Sequence, residues 1–245
     1  VSDQIGITER GDPAIDCQWT QWVVDGNPAI LITKDPLKLF DHIKVIIEDG
    51  KCEEVYPRFP NIIVHTTITG FARSIIEPNV PDVDCALLGF EELCKLLGPE
   101  RIVLRIDPIV PTDAGIDTAY NVLCQAQKLF KTRVRVSFID QYDHVKKRFK
   151  DIDVELPWTT FHAPLKLRKK AWERLGRPEV CGEPDFECTG CISAKDCELL
   201  GVQLIDKFSK QRLCCACLGN KKELLSSRSR CFHKCVYCYY GKYDL

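Results

Sequence analysis

Pro28-Ala-Ile-Leu-Ile-Thr33 is a continuous apolar run that stops at Lys34-Asp35-Pro36, and its reading decides the fold. A strand with one wet face alternates apolar and polar residues, so an unbroken run is what a strand covered on both faces requires. The covering follows at once: Leu37, Phe40, Ile43, Ile46 and Ile47 recur at spacings of three and four, one stripe of a helix. The alternation extends in both directions. Strands are expected over 4–9, 28–33, 61–69, 101–107 and 133–139, with helices over 15–24, after Pro36, over 85–97, from Asp113 to about 130, up to Lys150 and over 164–175. Gly98 is expected to stop one helix, Asp113 to cap the next, and Pro108 and Pro111 to break the fourth strand. The pattern is α/β, with βα units around a parallel sheet.

At 245 residues and 45% hydrophobic content the chain can bury a real core in one domain of barrel size. Its apolar runs are all far shorter than the ~20 residues that span a bilayer, and Val1-Ser-Asp-Gln4 lacks a basic-then-apolar signal. A cytoplasmic protein without a membrane partner is expected. A net charge of −1 makes no global demand for nucleic acid, although Lys166, Arg168, Lys169, Lys170, Arg174 and Arg177 form a local basic run. Such runs are either solvated faces or polyanion surfaces.

Of the fifteen cysteines, Cys17, Cys52, Cys85, Cys94 and Cys124 stand singly and read as small buried residues, while ten fall between Cys181 and Cys238. In a reducing compartment such crowding points to metal rather than to disulfides. The last group, Cys231-Phe-His-Lys-Cys235-Val-Tyr-Cys238, spells C-x3-C-x2-C. Three thiolates at these spacings can hold three irons of one cubane and leave the fourth open for chemistry. Zinc with His233 as a fourth ligand, and disulfides, are the alternatives. The second group lies where apolar residues are few, and its candidates are Cys188, Cys191, Cys197, Cys215 and Cys217, with Cys181 and Cys214 in excess of one cubane. It could hold a second iron–sulfur cluster or a structural zinc.

Functional side chains of parallel sheets gather at the carboxyl ends of the strands. Here those ends carry Asp12, then Thr33 with Lys34, Thr66 with Thr67 and Thr69, Arg105 with Asp107, and Ser137 with Asp140. A lysine there suits a carboxylate, and paired threonines suit hydroxyls or an amino group.

C-x3-C-x2-C with an aromatic before the last cysteine resembles the motif of the radical S-adenosylmethionine superfamily, and Cys231 to Tyr240 is most similar to its spore photoproduct lyase branch. Thr33-Lys34-Asp35-Pro36, Ile76-Glu77-Pro78 and Arg105-Ile-Asp107-Pro108-Ile-Val-Pro111 are similar to that branch's strand-end motifs, in the same order. In the superfamily the cysteine loop follows the first strand, whereas here it follows all of them. That arrangement, with Gln211-Arg212-Leu-Cys-Cys215-Ala-Cys217 upstream, resembles an uncharacterised family known only as a domain of unknown function. That family's Ser-x-Asp-Ile-Gly is replaced here by Asn220-Lys-Lys-Glu-Leu-Leu-Ser226.

The resemblance implies a partial (βα) barrel of radical S-adenosylmethionine type, circularly permuted, over 1–176, with a Cys-rich segment over 177–245. It implies a [4Fe–4S] cluster on Cys231, Cys235 and Cys238 that binds and reductively cleaves S-adenosylmethionine, with Lys34 and Thr67 on its methionine part and Thr33, Arg105 and Asp12 nearby. A second [4Fe–4S] cluster, or zinc, would occupy the other cysteine group. The partners implied are an electron donor such as ferredoxin or flavodoxin and a small-molecule or nucleic-acid substrate. The rival expectations are an iron–sulfur protein that only carries electrons or senses redox state, and an enzyme acting on lesions in nucleic acid.

Overall fold

The computed structural model describes residues 4–48, 60–203, 214–218, 220–226 and 231–240; Cys52, Gln211 and Arg212 lie outside them. The five expected strands are present as β1 (Gln4–Ile7), β2 (Ala29–Thr33), β3 (Ile62–Thr67), β4 (Ile102–Ile109) and β5 (Arg133–Phe138). Two more, β6 (Glu179–Val180) and β7 (Asn220–Glu223), join them. All seven are parallel, in the order β6-β5-β4-β3-β2-β1-β7, in a sheet curled into a half-barrel. The fold is thus α/β, a partial barrel.

The helices between the strands are α1 (Thr20–Val24), α2 (Pro36–Glu48), α3 (Val83–Leu97), α4 (Asp113–Leu129), α5 (Asp143–Asp151), α6 (Leu165–Arg174) and α7 (Ala194–Leu200). Four local expectations need correction. Of the single cysteines described, only Cys94 is buried; Cys85 and Cys124 are half-buried and Cys17 is exposed, because they lie on helix or turn faces turned away from the core. The segment 15–24 is a 3-10 turn at Cys17–Trp19 followed by only five helical residues, because Asp16 caps the turn by accepting from the Gln18 amide. Thr112, not Asp113, caps α4, its hydroxyl accepting from the Gly115 amide at 3.2 Å. Pro108 does not break β4: the strand runs on to Ile109 and absorbs the missing N–H as a register shift against β5.

Alternation along each strand sorts the core into two layers. Leu31, Val64, Leu104 and Ile106 pack against Leu39, Phe90, Leu93, Ile116 and Val122 of the covering helices. On the concave face, Ile5, Ile7, Ile30, Ile63 and Val103 meet Cys191, Ile192, Cys197, Leu200 and Cys217. Part of the cysteine-rich segment, around 191–200 and at Cys217, therefore packs on the inside of the half-barrel. A third cluster at the carboxyl ends joins Val110, Ile139, Val145 and Phe149 to Cys235, Val236 and Tyr237.

Strand β7 has no apolar residue, and its pairing with β1 from Gln4↔Asn220 to Ile7↔Glu223 rests on partners for its charges. Lys221 pairs with nearly buried Glu9 at 2.9 Å, Lys222 lies over the Trp22 ring at 4.4 Å, and Glu223 accepts from the Glu9 amide at 3.1 Å. Gly6 is required beside it, because a Cβ there would meet Leu224 and the Trp22 indole at 2.6 Å.

Most of the basic run on and after α6 is committed within the fold. Arg168 is buried and binds Glu183, Asp185 and the carbonyls of Ala163 and Pro184, Lys170 pairs with Asp113, and Arg174 and Arg177 lie over Tyr120 and Trp172. Among the described residues no helix is long and apolar enough to cross a membrane.

Candidate functional site

The carboxyl ends of the strands open into a cavity of about 210 Å³. Asp12, Thr33, Lys34, Thr67 and Arg105, the five strand-end residues expected at the site, all line it. Cys231, Cys235 and Cys238 of the terminal loop line the same cavity, as do Cys181, Cys191, Cys215 and Cys217. Cys188 and Cys197 do not: Cys188 bonds to the backbone of Glu183, and Cys197 is buried on α7 in the concave core.

The terminal loop follows β7 and is clamped from several elements. Asp12 accepts from the Ala14 amide (2.9 Å), the Thr33 hydroxyl (2.7 Å) and the Lys34 amide (2.8 Å), and pairs with His233 Nε2 at 2.7 Å. Its carboxylate is thus used in fixing the loop to the ends of β1 and β2. His233, the fourth ligand in the zinc alternative, turns Nε2 to Asp12 at 2.7 Å and Nδ1 to the Asn79 carbonyl at 3.4 Å, so both ring nitrogens face other partners. Asn79 donates to the Phe232 carbonyl at 2.7 Å, the Val236 amide donates to Ile76 at 3.0 Å, and Arg148 donates to the Cys238 carbonyl at 2.8 Å.

Beneath Cys235 lies a polar knot centred on Glu77, which is 1% exposed. Lys34 Nζ donates to Glu77 at 2.9 Å and to the Tyr237 hydroxyl at 2.6 Å, Tyr237 donates to Glu77, and Thr69 donates to its other oxygen at 2.6 Å. A buried carboxylate survives only with such partners.

The charges follow the packing. Burial opposes ionisation of Lys34, but the Glu77 carboxylate outweighs it and the lysine is pushed up to about 12. Burial likewise opposes the Asp12–His233 pair, yet their mutual bond holds Asp12 below and His233 above their ordinary values. Burial pushes the Cys231 thiol up to about 11 and Cys235 higher still. Burial thus favours the neutral thiol at both, and a metal would have to displace the protons, since thiolate is the ligand form.

On the floor of the cavity Arg105 donates to Asp107 through two nitrogens, and its third reaches Cys191 Sγ at 3.6 Å. Ser137 donates to the same Asp107 carboxylate. Cys191 Sγ stands 3.5 Å from Cys181 Sγ, and Cys217 is in hydrogen-bonding contact with both Cys191 and Cys215. The bonds from Cys181 and Cys217 hold the Cys191 thiol well below its ordinary value, and the same contacts raise its two partners. Among the described residues no group of three or more His, Cys, Asp or Glu is placed so that it could hold a metal ion.

Sequence reasoning overlooked Glu77 and Arg148 as loop clamps. Glu77 had a signal in the stretch Ile76-Glu77-Pro78, but an acid in a connector reads as solvated. Arg148 was hidden in a basic helix. Tyr142 was also missed: it lines the cavity, stacks on Tyr239 at 5.9 Å between centroids and takes the edge of Phe161 at 4.8 Å.

A family described as "Domain of unknown function (DUF1848)" matches residues 23–240, which include both cysteine groups and all the expected strand ends except that of β1. No curated protein matches the chain.

Proposed function

The chain belongs to the DUF1848 family, whose description names no activity, and on that premise we propose that it is a radical S-adenosylmethionine enzyme built on a circularly permuted partial barrel. The observation that carries the reading is the place of β7. This last strand pairs in parallel at the sheet edge beside β1, and the chain runs from its carboxyl end into the cysteine loop. In the superfamily it resembles, the strand before that loop comes first in sequence. Here the last strand takes the equivalent edge, a rearrangement that compact domains tolerate when their ends are near in space.

The donor set fits the cofactor. Three thiols of one clamped loop line a cavity ringed by strand ends, and Cys231, Cys235 and Cys238 would hold a [4Fe–4S] cluster with one iron left for S-adenosylmethionine. When bound, the cluster supplies the single electron that breaks a carbon–sulfur bond of the sulfonium and starts radical chemistry. The chain's own residues position and shield. Glu77, Tyr237, Arg148 and the Asp12–His233 pair hold the loop, while Lys34, Thr67 and Arg105, which line the cavity, are the polar groups that would meet the amino-acid part of the cofactor. Tyr142 and Tyr239 form an aromatic wall that excludes water from one side.

The reading implies a reductant of the ferredoxin or flavodoxin class and a substrate small enough for the cavity. Incubation of the anaerobic, reconstituted protein with S-adenosylmethionine and a chemical reductant should release 5′-deoxyadenosine and methionine, and Cys235→Ala should abolish release. An intact cluster that releases neither product would make the protein an electron carrier instead.

A further inference from the structure

The second cysteine group carries an inference independent of the terminal loop. Two strips of backbone meet on the concave side of the sheet, and the meeting depends on one glycine. Gly190 has φ +78°, and a Cβ there would lie 2.6 Å from the carbonyl carbon of Ala216 and the amide of Cys217. With no side chain in the way, the Leu218 amide donates to Ile192 at 2.9 Å and the Cys191 amide donates to Cys217 Sγ at 3.1 Å. An amide aimed at a sulfur in this way serves a thiolate ligand, because it offsets the charge that the metal leaves on it.

The approach gathers four thiols from three places in the chain. Cys181 follows β6, its amide donating to Val136 at 2.9 Å; Cys191 precedes α7; Cys215 and Cys217 precede β7. Cys181 and Cys191 are 3.5 Å apart at sulfur, and Cys217 touches both Cys191 and Cys215. A tetrahedral ion with metal–sulfur arms of about 2.3 Å sets its sulfurs about 3.8 Å apart. A cubane spreads its cysteines over different irons and so needs them farther apart. The Cys181–Cys191 spacing suits one ion, and Cys217 with Cys215 would close onto it as the metal binds, since no three of the described groups stand at ligand spacing without it.

We propose that Cys181, Cys191, Cys215 and Cys217 bind a single metal ion of the zinc class through four thiolates, a closed structural site on the floor of the cavity. This ligand set differs from the sequence candidates in taking Cys181 and leaving Cys188 and Cys197 out. Arg105, Arg135 and Lys221 are the cations around the thiols, with Asp107, Glu179, Asp196 and Glu9 beside them. The ion ties the ends of β6 and β7 together, so it secures the strand from which the terminal loop departs.

The test is zinc and iron analysis of the full chain purified anaerobically, with X-ray absorption at the zinc edge. The expected result is one zinc per chain, with four sulfurs at about 2.3 Å. Cys181→Ser and Cys217→Ser should lose most of it, whereas Cys188→Ser, Cys197→Ser and Cys235→Ala should keep it. Retention in Cys235→Ala separates this site from the terminal loop, so either can fail alone. The absorption spectrum of the unaltered chain stands even if the serine variants do not fold. A second cubane's worth of iron without zinc, a nitrogen-containing zinc shell, loss of zinc in Cys188→Ser, or a Cys181–Cys191 disulfide in the protein as isolated would overturn the proposal.

Discussion

Cys235 and Cys191 are both buried thiols on the wall of one cavity, yet they reach it by different means. Cys235 sits in a loop whose every turn is fixed from outside, by Glu77 with Lys34 and Tyr237, by Arg148, by Asn79 and by Asp12 with His233. Cys191 sits among other sulfurs, positioned by Cys181 and Cys217 and by a backbone approach that one glycine permits. A loop clamped by its surroundings keeps its shape while leaving a metal position open to a ligand. A group whose members touch one another closes around an ion and leaves nothing open. On the proposed reading, the first would serve chemistry and the second structure.

The hardest test of the contrast is Glu77→Ala. It leaves Lys34 charged and unpaired in the interior, a loss of about 3–5 kcal/mol for one half of a buried pair. The account expects the terminal loop to lose its iron while the zinc stays, as read by metal analysis of each fraction; equal loss of both metals would erase the distinction. Lys34→Met strands Glu77 in the same way, so iron content should fall along with cofactor affinity, as a titration beside an iron assay would show.

Gly190→Ala makes the opposite cut. A side chain in a left-handed conformation against backbone costs about 1–3 kcal/mol, and the expected outcome is a lower melting temperature with loss of zinc before iron. An unchanged melting temperature would mean that the two strips of backbone need not meet.

His65, buried in β3 near Arg105, Arg135 and Cys191, sharpens the picture of the core around the second group. It is fully buried, neither ring nitrogen has a hydrogen-bond partner among the described residues, and burial, then the charge of Arg135, lowers it to about 3 from 6.5. The folded state therefore refuses a proton that the unfolded chain accepts, so stability is full above about 6.5 and is lost as pH falls toward 3. The slope approaches about 1.4 kcal/mol per pH unit. Denaturant midpoints between pH 7 and 5 should fall less steeply in His65→Leu, and parallel curves would remove His65 from the acid limb.

The smallest effect is expected at the exposed Lys170–Asp113 pair. Lys170→Ala should leave metal content and melting temperature where they were. Nucleic-acid affinity with a steep salt dependence that disappears in a Lys166, Lys169 and Lys170 triple alanine variant would instead revive the polyanion reading of α6.

How far the sequence spoke depended on which force held each part. Strands β2 to β5 were legible because burial on both faces leaves a run such as Ile62-Ile-Val64 with little choice of residue. Strand β7 was not, because Asn220-Lys-Lys-Glu223 is held by Glu9, Trp22 and backbone pairing, none of which is local. The strand-end residues could be named from the alternation alone, since the carboxyl end of a parallel strand is a fixed place. Their roles could not: Asp12 turns out to grip His233, and Lys34 to grip Glu77, partners 221 and 43 residues away. Spacing likewise grouped Cys188 with Cys191, but only the chain's return at Gly190 and Cys217 brings Cys181 in beside Cys191.

The central claim is that the terminal loop holds a cluster with an iron open to S-adenosylmethionine. Its most direct test is the electron paramagnetic resonance spectrum of the reduced, anaerobic protein with and without S-adenosylmethionine. The account expects a cubane signal that shifts when S-adenosylmethionine is added and is absent from Cys235→Ala. A cubane signal indifferent to S-adenosylmethionine, or one that survives in Cys235→Ala, would contradict it.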